Sequence, residues 1–433
     1  MTPVIDIDVL QGRLSESLDL LRTTYSPSPG RPGGGWYHEL AISDPGSTAT
    51  AVGLMAFAES GETFEHFEAG LTLLAHRQAR SRNALIDGGW ATKTSMDRPV
   101  VEATAWIARF LALGRCHFKE NAPDLERAYR WLKANQNPDG GWGSLHGCPS
   151  RVWLTCLALR ALHPLDPYAP EIERGAAWLM SHRVSAGTVW GEMPGARPKV
   201  AHTAFALLTL AEVRPEWPAT RLLPAYKWLE HELTNAAEDA HAGIETYNVN
   251  PGPAGSHTTW RLALWHHGLP LAMSALLRHP DGAPAALICK AFATLTRAGV
   301  RDSPWSEAAG GGTSLWGVWW TAEALADLLR HPLARPGDTL VWLPDAVIVQ
   351  RAHARGKPLT ALVAAPPRRR LRRFAARHWA ALVLPAVAVF GVVGVVGRVW
   401  EWREFWLGLI FPAVMATVQE ARSRSQRRTA QPE

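Results

Sequence analysis

Apolar residues recur at three- and four-residue spacing in six stretches of this chain: Leu10 to Tyr25, Phe64 to Ser81, Pro123 to Asn135, Pro170 to Arg183, Thr220 to Thr234 and Pro284 to Ala298. That spacing lays one apolar stripe along each of six amphipathic helices. Six more stretches lie between or after them and are apolar nearly all round: Ser47 to Ala58, Val100 to Leu113, Arg151 to Leu162, Val200 to Val213, His257 to Leu277 and Ser314 to Leu329. A helix that is apolar on every side is packed on several sides. Most of the amphipathic stretches run into turns rich in Gly, Pro or Asn, which stop helices. The alternation predicts six helical hairpins closing into a ring, with the apolar helices inside and the amphipathic ones outside.

An internal repeat supports the ring. An aromatic residue on a polar turn (Trp36, Trp90, Trp142, Trp190, Tyr247, Trp305) is followed 12 to 16 residues later by a threonine in an apolar stretch (Thr50, Thr104, Thr155, Thr203, Thr259, Thr321). Successive threonines lie 48 to 62 residues apart, a period that signals stacked supersecondary units, none of which could bury its apolar face alone. The expected fold is therefore all-α, a six-hairpin α/α toroid over residues 1–345, with Val341 to Ala364 leading away from it as a capping segment and linker.

Net charge of +6 changes the picture only through its location. Arg368, Arg369, Arg370, Arg372, Arg373 and Arg377 form one group, and Arg422, Arg424, Arg427 and Arg428 another. Between them, Trp379 to Gly397 runs 19 residues without a charge and Phe405 to Val418 another 14, against the ~20 residues a helix needs to cross a hydrocarbon core. Basic groups at both outer ends suit a membrane hairpin with both ends cytoplasmic; one span followed by an interfacial helix is the alternative. The expected division is a basic linker at 346–378, a transmembrane hairpin at 379–420 and a basic tail at 421–433. Location at the cell membrane follows, with the toroid on the cytoplasmic side, and nucleic acid is not an expected partner. Met1 to Leu10 carries Asp6 and Asp8 without a basic start or apolar run, so no secretory signal is expected. Cys116, Cys148, Cys156 and Cys289 are too irregularly spaced for a disulfide framework.

One repeat carries a recognisable motif. Trp131-Leu132-Lys133-Ala134-Asn135-Gln136-Asn137-Pro138-Asp139-Gly140-Gly141-Trp142-Gly143, followed by Val152-Trp153-Leu154-Thr155, resembles the Gln-Trp repeat of the terpene cyclase and protein prenyltransferase superfamily. The resemblance is strong here, weaker in the other five repeats, and spans roughly Asp6 to Arg330. It implies an α/α toroid around a central apolar cavity and a ligand that is an isoprenoid or a similar lipid. It does not settle activity, because the superfamily includes members without catalytic chemistry. Asp87 and Asp139 in the Asp-Gly-Gly-Trp turns read as turn carboxylates.

In the resembling cyclases the proton-donating acid precedes Thr-Ala at the start of an inner helix. Glu102-Ala103-Thr104-Ala105 matches the oxidosqualene cyclase pattern with Glu in place of Asp, while Asp-x-Asp-Asp is absent from the chain. A carboxyl facing an apolar cavity is kept protonated by desolvation, which suits a general acid; the same residue at a helix start would also favour the helix dipole. His202 and His257 are further candidates for proton relay. Trp106, Trp153, Phe205, Trp260, Trp316, Trp319 and Trp320 fall on the inner stretches, where they would fill the core, bind substrate and stabilise cations through their ring faces. The zinc set of the prenyltransferases is not matched, since Leu287 stands where an Asp should precede Cys289, and no metal or other cofactor is expected. Cys148 lacks the thioester surroundings of complement-like toroids. A glycan-processing toroid would need a convergent carboxylate pair, for which Glu102, Glu192 and Glu323 are the suppliers. These readings leave an isoprenoid-handling enzyme, with acid-initiated cyclisation by Glu102, beside a non-catalytic lipid- or peptide-binding module at the membrane.

Overall fold

The computed structural model describes residues 4–38, 40, 44–92, 98–114, 122–185, 187–236, 245–249, 260–264, 268–279, 285–297, 315–329, 338–343, 346–351 and 359–361. Six outer helices, α1 (Ile7–Thr24), α3 (Phe67–Arg77), α5 (Leu125–Ala134), α7 (Pro170–Ser181), α9 (Leu223–Ala236) and α11 (Ala285–Arg297), alternate with six inner ones. The inner set is α2 (Ser47–Ser60), α4 (Val101–Gly114), α6 (Val152–Leu162), α8 (Val200–Val213), α10 (Gly268–Leu277) and α12 (Leu315–Leu329). Each inner helix packs on the next, and α12 packs back on α2, so the inner wall is a closed ring. The Leu315 N–H donates to the His38 carbonyl at 2.8 Å, joining the last repeat to the first. The six hairpins expected from the apolar pattern are all present, with ends within a few residues of the expected ones except in the fifth repeat.

The recurrence of tryptophan and threonine has a physical cause. The backbone N–H groups of Trp90, Trp142 and Trp190 donate to the hydroxyls of Thr104, Thr155 and Thr203 at 3.0, 3.0 and 3.2 Å. The indole N–H groups of Trp36, Trp90, Trp142 and Trp190 donate to carbonyls in the last turns of the preceding outer helices, at Leu21, Leu74, Leu132 and Leu179, over 2.7 to 2.9 Å. One residue thus satisfies the end of an outer helix, where carbonyls lack intrahelical partners, and is itself satisfied by the start of the inner helix. The spacing is the length of turn needed to span the two. In the first repeat the Thr50 hydroxyl instead donates to the Gly46 carbonyl at 2.7 Å.

Side chains sew neighbouring repeats together. Gln136 Nε2 donates to the Gly140 carbonyl and to the Glu171 carbonyl of the next outer helix; Gln78 does the same toward Gly88 and Asp124. Asp139 accepts from the Gly141 N–H, the Ser150 hydroxyl and the Trp178 indole, and Asp87 accepts from the Ser81 N–H and Arg127. Both aspartates are turn carboxylates, as the sequence suggests. Gly88 and Gly140 take φ of +94° and +93°, and a Cβ there would also meet backbone atoms of Arg127 or Arg174 within 3 Å, so only glycine fits.

Among the described residues eight short strands depart from the all-α expectation. The first, β1 (Val4–Asp6), is followed by the two-residue β2 (Ser26–Pro27) and β3 (Gly34–Gly35), which pair in the first turn. In the fifth repeat β4 (Glu245–Val249) and β5 (Trp260–Leu264) form an antiparallel hairpin. The expected helix from His257 therefore begins only at Gly268, Glu245-Thr246-Tyr247 is strand rather than turn, and Trp260 lies off the inner helices. The reason is local: aromatic and β-branched residues flank a segment containing Pro251, Gly252, Pro253 and Gly255, which breaks a helix and suits a hairpin. His257 lies outside the described residues. At the carboxy-terminal side, β6 (Asp338–Leu343), β7 (Ala346–Arg351) and β8 (Leu359–Ala361) join β1 in an antiparallel sheet of order β1-β6-β7-β8. The expected capping segment is thus a sheet, because Leu340-Val341-Trp342-Leu343 and Val347-Ile348-Val349 are strand-forming runs. This unit extends through Ala364. Among the described residues no helix is long and apolar enough to cross a membrane; the segments 379–397 and 405–418 lie outside the described residues.

Replacing Thr155 by Ala removes the acceptor of a buried N–H and should cost about 1–3 kcal/mol. Thr155→Ser keeps the hydroxyl and should lose less. Urea denaturation of the two variants beside the wild type measures both.

Candidate functional site

The inner helices present one composition in their early turns and another in their late ones. Trp106 of α4, Trp153 of α6, Phe205 of α8, and Trp316, Trp319 and Trp320 of α12 converge on the ring's axis. Ring centroids lie 4.8 Å apart for Trp106 and Trp319, 4.4 Å for Trp153 and Phe205, 5.7 Å for Trp106 and Trp316, and 4.1 Å for Trp319 and Trp320. Trp153 and Trp320, from opposite sides of the ring, approach to 6.1 Å. Of the seven aromatics expected to line the centre, these six are brought together; Trp260 belongs to β5 and not to an inner helix. Most meet edge to face or tilted, the geometry that ring quadrupoles favour.

Two indoles of the cluster are unusual. Trp106 Nε1 and Trp319 Nε1 are buried and, among the described residues, have no hydrogen-bond partner. Buried N–H groups are nearly always paired, and the four turn tryptophans above show this chain pairing its indoles wherever the site is structural.

Glu102 is the second residue of α4, one turn before Trp106 on the same face. It is half-buried, as are Trp153 and Trp316, so the early turns are less tightly covered than the rings of Trp106, Phe205 and Trp319. Burial pushes the Glu102 carboxyl above the usual carboxylate range, because desolvation disfavours the ionised form. His202, the third residue of α8, is buried with its ring 5.8 Å from that of Trp153. The site therefore joins a carboxyl whose ionisation burial disfavours to a wall of π faces.

A charged layer follows in the late turns. Glu212 of α8 accepts from Arg109 Nη1 of α4 at 2.7 Å and from Arg160 Nε of α6 at 2.9 Å. Burial alone would raise the Glu212 carboxyl, but Arg160 and Arg109 outweigh it and hold it at about 2. Glu323 of α12 goes the other way: burial pushes it up, Arg160 opposes, and Asp327 adds to the rise. Arg160 also lies over the Phe205 ring, 5.4 Å from its centroid, so the charged and aromatic layers touch. Arg109, Arg160 and Glu212 were not singled out from sequence, although charges inside nearly apolar stretches were a visible signal. Glu192, one of the three candidates for a glycan-processing carboxylate pair, is paired with Arg151 at the turn before α6. Among the described residues no group of three or more His, Cys, Asp or Glu could hold a metal ion.

No protein-family model matches the chain. An 81-residue segment is 38% identical to the chloroplastic ent-kaurene synthase CPS/KS of Physcomitrium patens, covering 18% of this chain and 9% of that protein. A 102-residue segment is 29% identical to the drimenyl diphosphate synthase of Streptantibioticus cattleyicolor, covering 23% and 19%. This chain resembles the terpene cyclase and protein prenyltransferase superfamily. The matched segments span less than a fifth of those relatives' own length. Among solved structures, a glycoside hydrolase family 76 mannosidase from Bacteroides thetaiotaomicron aligns over 74% of this chain and 97% of its own at 10% identity, with a TM-score of 0.51. A type II terpene cyclase from Scytonema aligns over 74% and 98% at 13% identity, with a TM-score of 0.48. At such identities the first likeness is one of fold alone, and it bears out the α/α toroid.

Two titrations follow from the site. The Glu102 pKa is higher folded than unfolded, so its contribution to stability is full below the unfolded value, about 4.3, and is lost as pH rises through the folded value. Glu102→Gln, neutral at every pH, should melt at a higher temperature than wild type in alkaline buffer and alike at pH 4. Glu212 is depressed, so its contribution is present above the unfolded value and lost as pH falls toward 2. Glu212→Gln strands two arginines and should cost roughly 3 kcal/mol at pH 7, a gap in urea stability that narrows in acid.

Proposed function

We propose that the ring holds an isoprenoid or similar apolar lipid among its inner aromatics and that Glu102 initiates its cyclisation by donating a proton. The observation that carries this is the placement of a desolvated carboxyl one helical turn from Trp106, at the edge of an aromatic cluster. The resemblance to segments of terpene synthases supports the ligand class. In the step, the Glu102 O–H bond breaks as the proton moves to an epoxide oxygen or an alkene carbon. The resulting carbocation is captured by the π electrons of a second alkene in the same chain, and the sequence ends when a C–H bond gives its proton back. Ring faces of Trp106, Trp153 and Trp316 would stabilise the moving positive charge. An epoxide, being the more basic target, suits a lone Glu better than an alkene does.

A second reading rests on a specific feature: no other carboxylate adjoins Glu102 in sequence to sharpen its acidity. In that reading the ring binds the lipid without turning it over. For either, we propose that the apolar segments 379–397 and 405–418 hold the protein at a membrane, where such ligands dissolve.

Incubating detergent-solubilised protein with squalene and epoxysqualene separates the readings. Cyclised product that falls at least 100-fold in Glu102→Gln, the range expected for loss of a general acid, supports catalysis. Tight binding without product supports the module, and neither binding nor product sinks both.

A further inference from the structure

The charged layer under the aromatic cluster gives the chamber a polar end. On α12, Trp316, Trp319, Trp320, Glu323 and Asp327 fall at three- and four-residue spacing and so share one face. Glu323 is one turn beyond the tryptophans that meet on the axis and within the field of Arg160, which itself lies over Phe205. It therefore sits where the aromatic and charged layers join. Glu212 takes the direct hydrogen bonds of Arg109 and Arg160. Glu323 Oε2 is buried and, among the described residues, has no hydrogen-bond partner. The indole N–H of Trp319, one turn earlier, is in the same condition. Two unsatisfied polar atoms of opposite sense, one turn apart on a helix face at the end of the aromatic cluster, form an incomplete hydrogen-bonding site.

The charge of this layer limits what completes it. Arg109, Arg160 and Arg278 face Glu59, Glu212, Glu323 and Asp327, which leaves the layer one negative charge in excess if all are ionised and neutral if Glu323 keeps a proton. Burial favours the second state. Among the described residues no surplus of positive charge is present to offset the desolvation of a phosphate group.

Resting on the reading of the chamber as an isoprenoid site, we propose that Glu323 and the Trp319 indole form a subsite for an uncharged hydrogen-bonding end group, a hydroxyl or a carbonyl, and that the site disfavours diphosphate-bearing isoprenoids. A hydroxyl would accept from the indole and exchange a hydrogen bond with the Glu323 carboxyl, satisfying both atoms.

Tryptophan fluorescence titration of the full chain in detergent tests this with three probes of similar chain length: geranylgeraniol, the corresponding hydrocarbon and geranylgeranyl diphosphate. In wild type the alcohol should bind about tenfold more tightly than the hydrocarbon, the worth of one well-made buried hydrogen bond, and the diphosphate should bind worst. Glu323→Leu should reduce the preference for the alcohol several-fold without weakening the hydrocarbon, the Trp319 indole still donating, and Glu323→Gln, which still hydrogen-bonds, should keep most of it. Equal binding of alcohol and hydrocarbon by wild type, tightest binding of the diphosphate, or a preference undiminished in Glu323→Leu overturns the subsite while leaving the chamber reading intact. Failure of all three probes to bind overturns the chamber reading and the subsite with it. Should Glu323→Leu not fold, the order of the three probes on wild type decides alone.

Discussion

Trp90, Trp142 and Trp190 are each held at two points, by the backbone N–H on a threonine hydroxyl and by the indole N–H on a carbonyl of the outer helix before it. The rest of the structure depends on that double attachment. All the groups involved are buried, and a buried donor left unpaired costs far more than a paired one contributes. The outer helix must therefore end, and the inner helix begin, at a set distance and angle. Repeated around the chain, this constraint gives each hairpin the same pitch, and repetition of one pitch brings α12 back against α2. The Leu315 to His38 hydrogen bond and the Trp316 indole bonded to His38 Nδ1 at 3.1 Å complete the circuit.

Closure decides the environment of the axis. Inner helices with neighbours on both sides and outer helices behind them have only one direction left, and side chains pointing there meet others from across the ring. Early in the helices these are aromatic, which gives a low-dielectric wall with polarisable faces. Later they are charged, and the arginines and carboxylates neutralise one another because none can reach bulk water cheaply. The contrast between Glu212, held ionised at about 2, and Glu102 and Glu323, both pushed upward, has this single origin. Desolvation acts on all three, and only Glu212 has two guanidinium groups within hydrogen-bonding distance.

Function on such a scaffold is a matter of which groups stand at the wall. The same toroidal fold occurs in a mannosidase, while two segments of this chain are similar in sequence to terpene synthases, so the fold leaves the chemistry open. In this chain Glu192 pairs with Arg151 and indole rings crowd the axis. The indole N–H groups of Trp106 and Trp319, without partners among the described residues, stand near acids whose ionisation burial disfavours.

The sequence by itself determined the hairpins, their alternation and the aromatic population of the axis. Helical periodicity, turn chemistry and the spacing of tryptophan to threonine are all local quantities, and local quantities are legible in one chain. It also marked Glu102, because an acid at the start of an apolar helix is conspicuous. The fifth repeat was misread: its glycines and prolines were visible, but whether the flanking residues pair as strands depends on each other's position. The sheet that unites Val4–Asp6 with Asp338–Leu343 pairs segments more than 330 residues apart in sequence, a contact that only tertiary structure supplies. The late-turn ion layer belongs to the tertiary structure in the same way. Arg109, Arg160 and Glu212 are separated by 51, 52 and 103 residues, and only the packing of α4, α6 and α8 into one wall brings their charges together, since electrostatic pairing is set by distance in space and leaves no periodic trace along the chain.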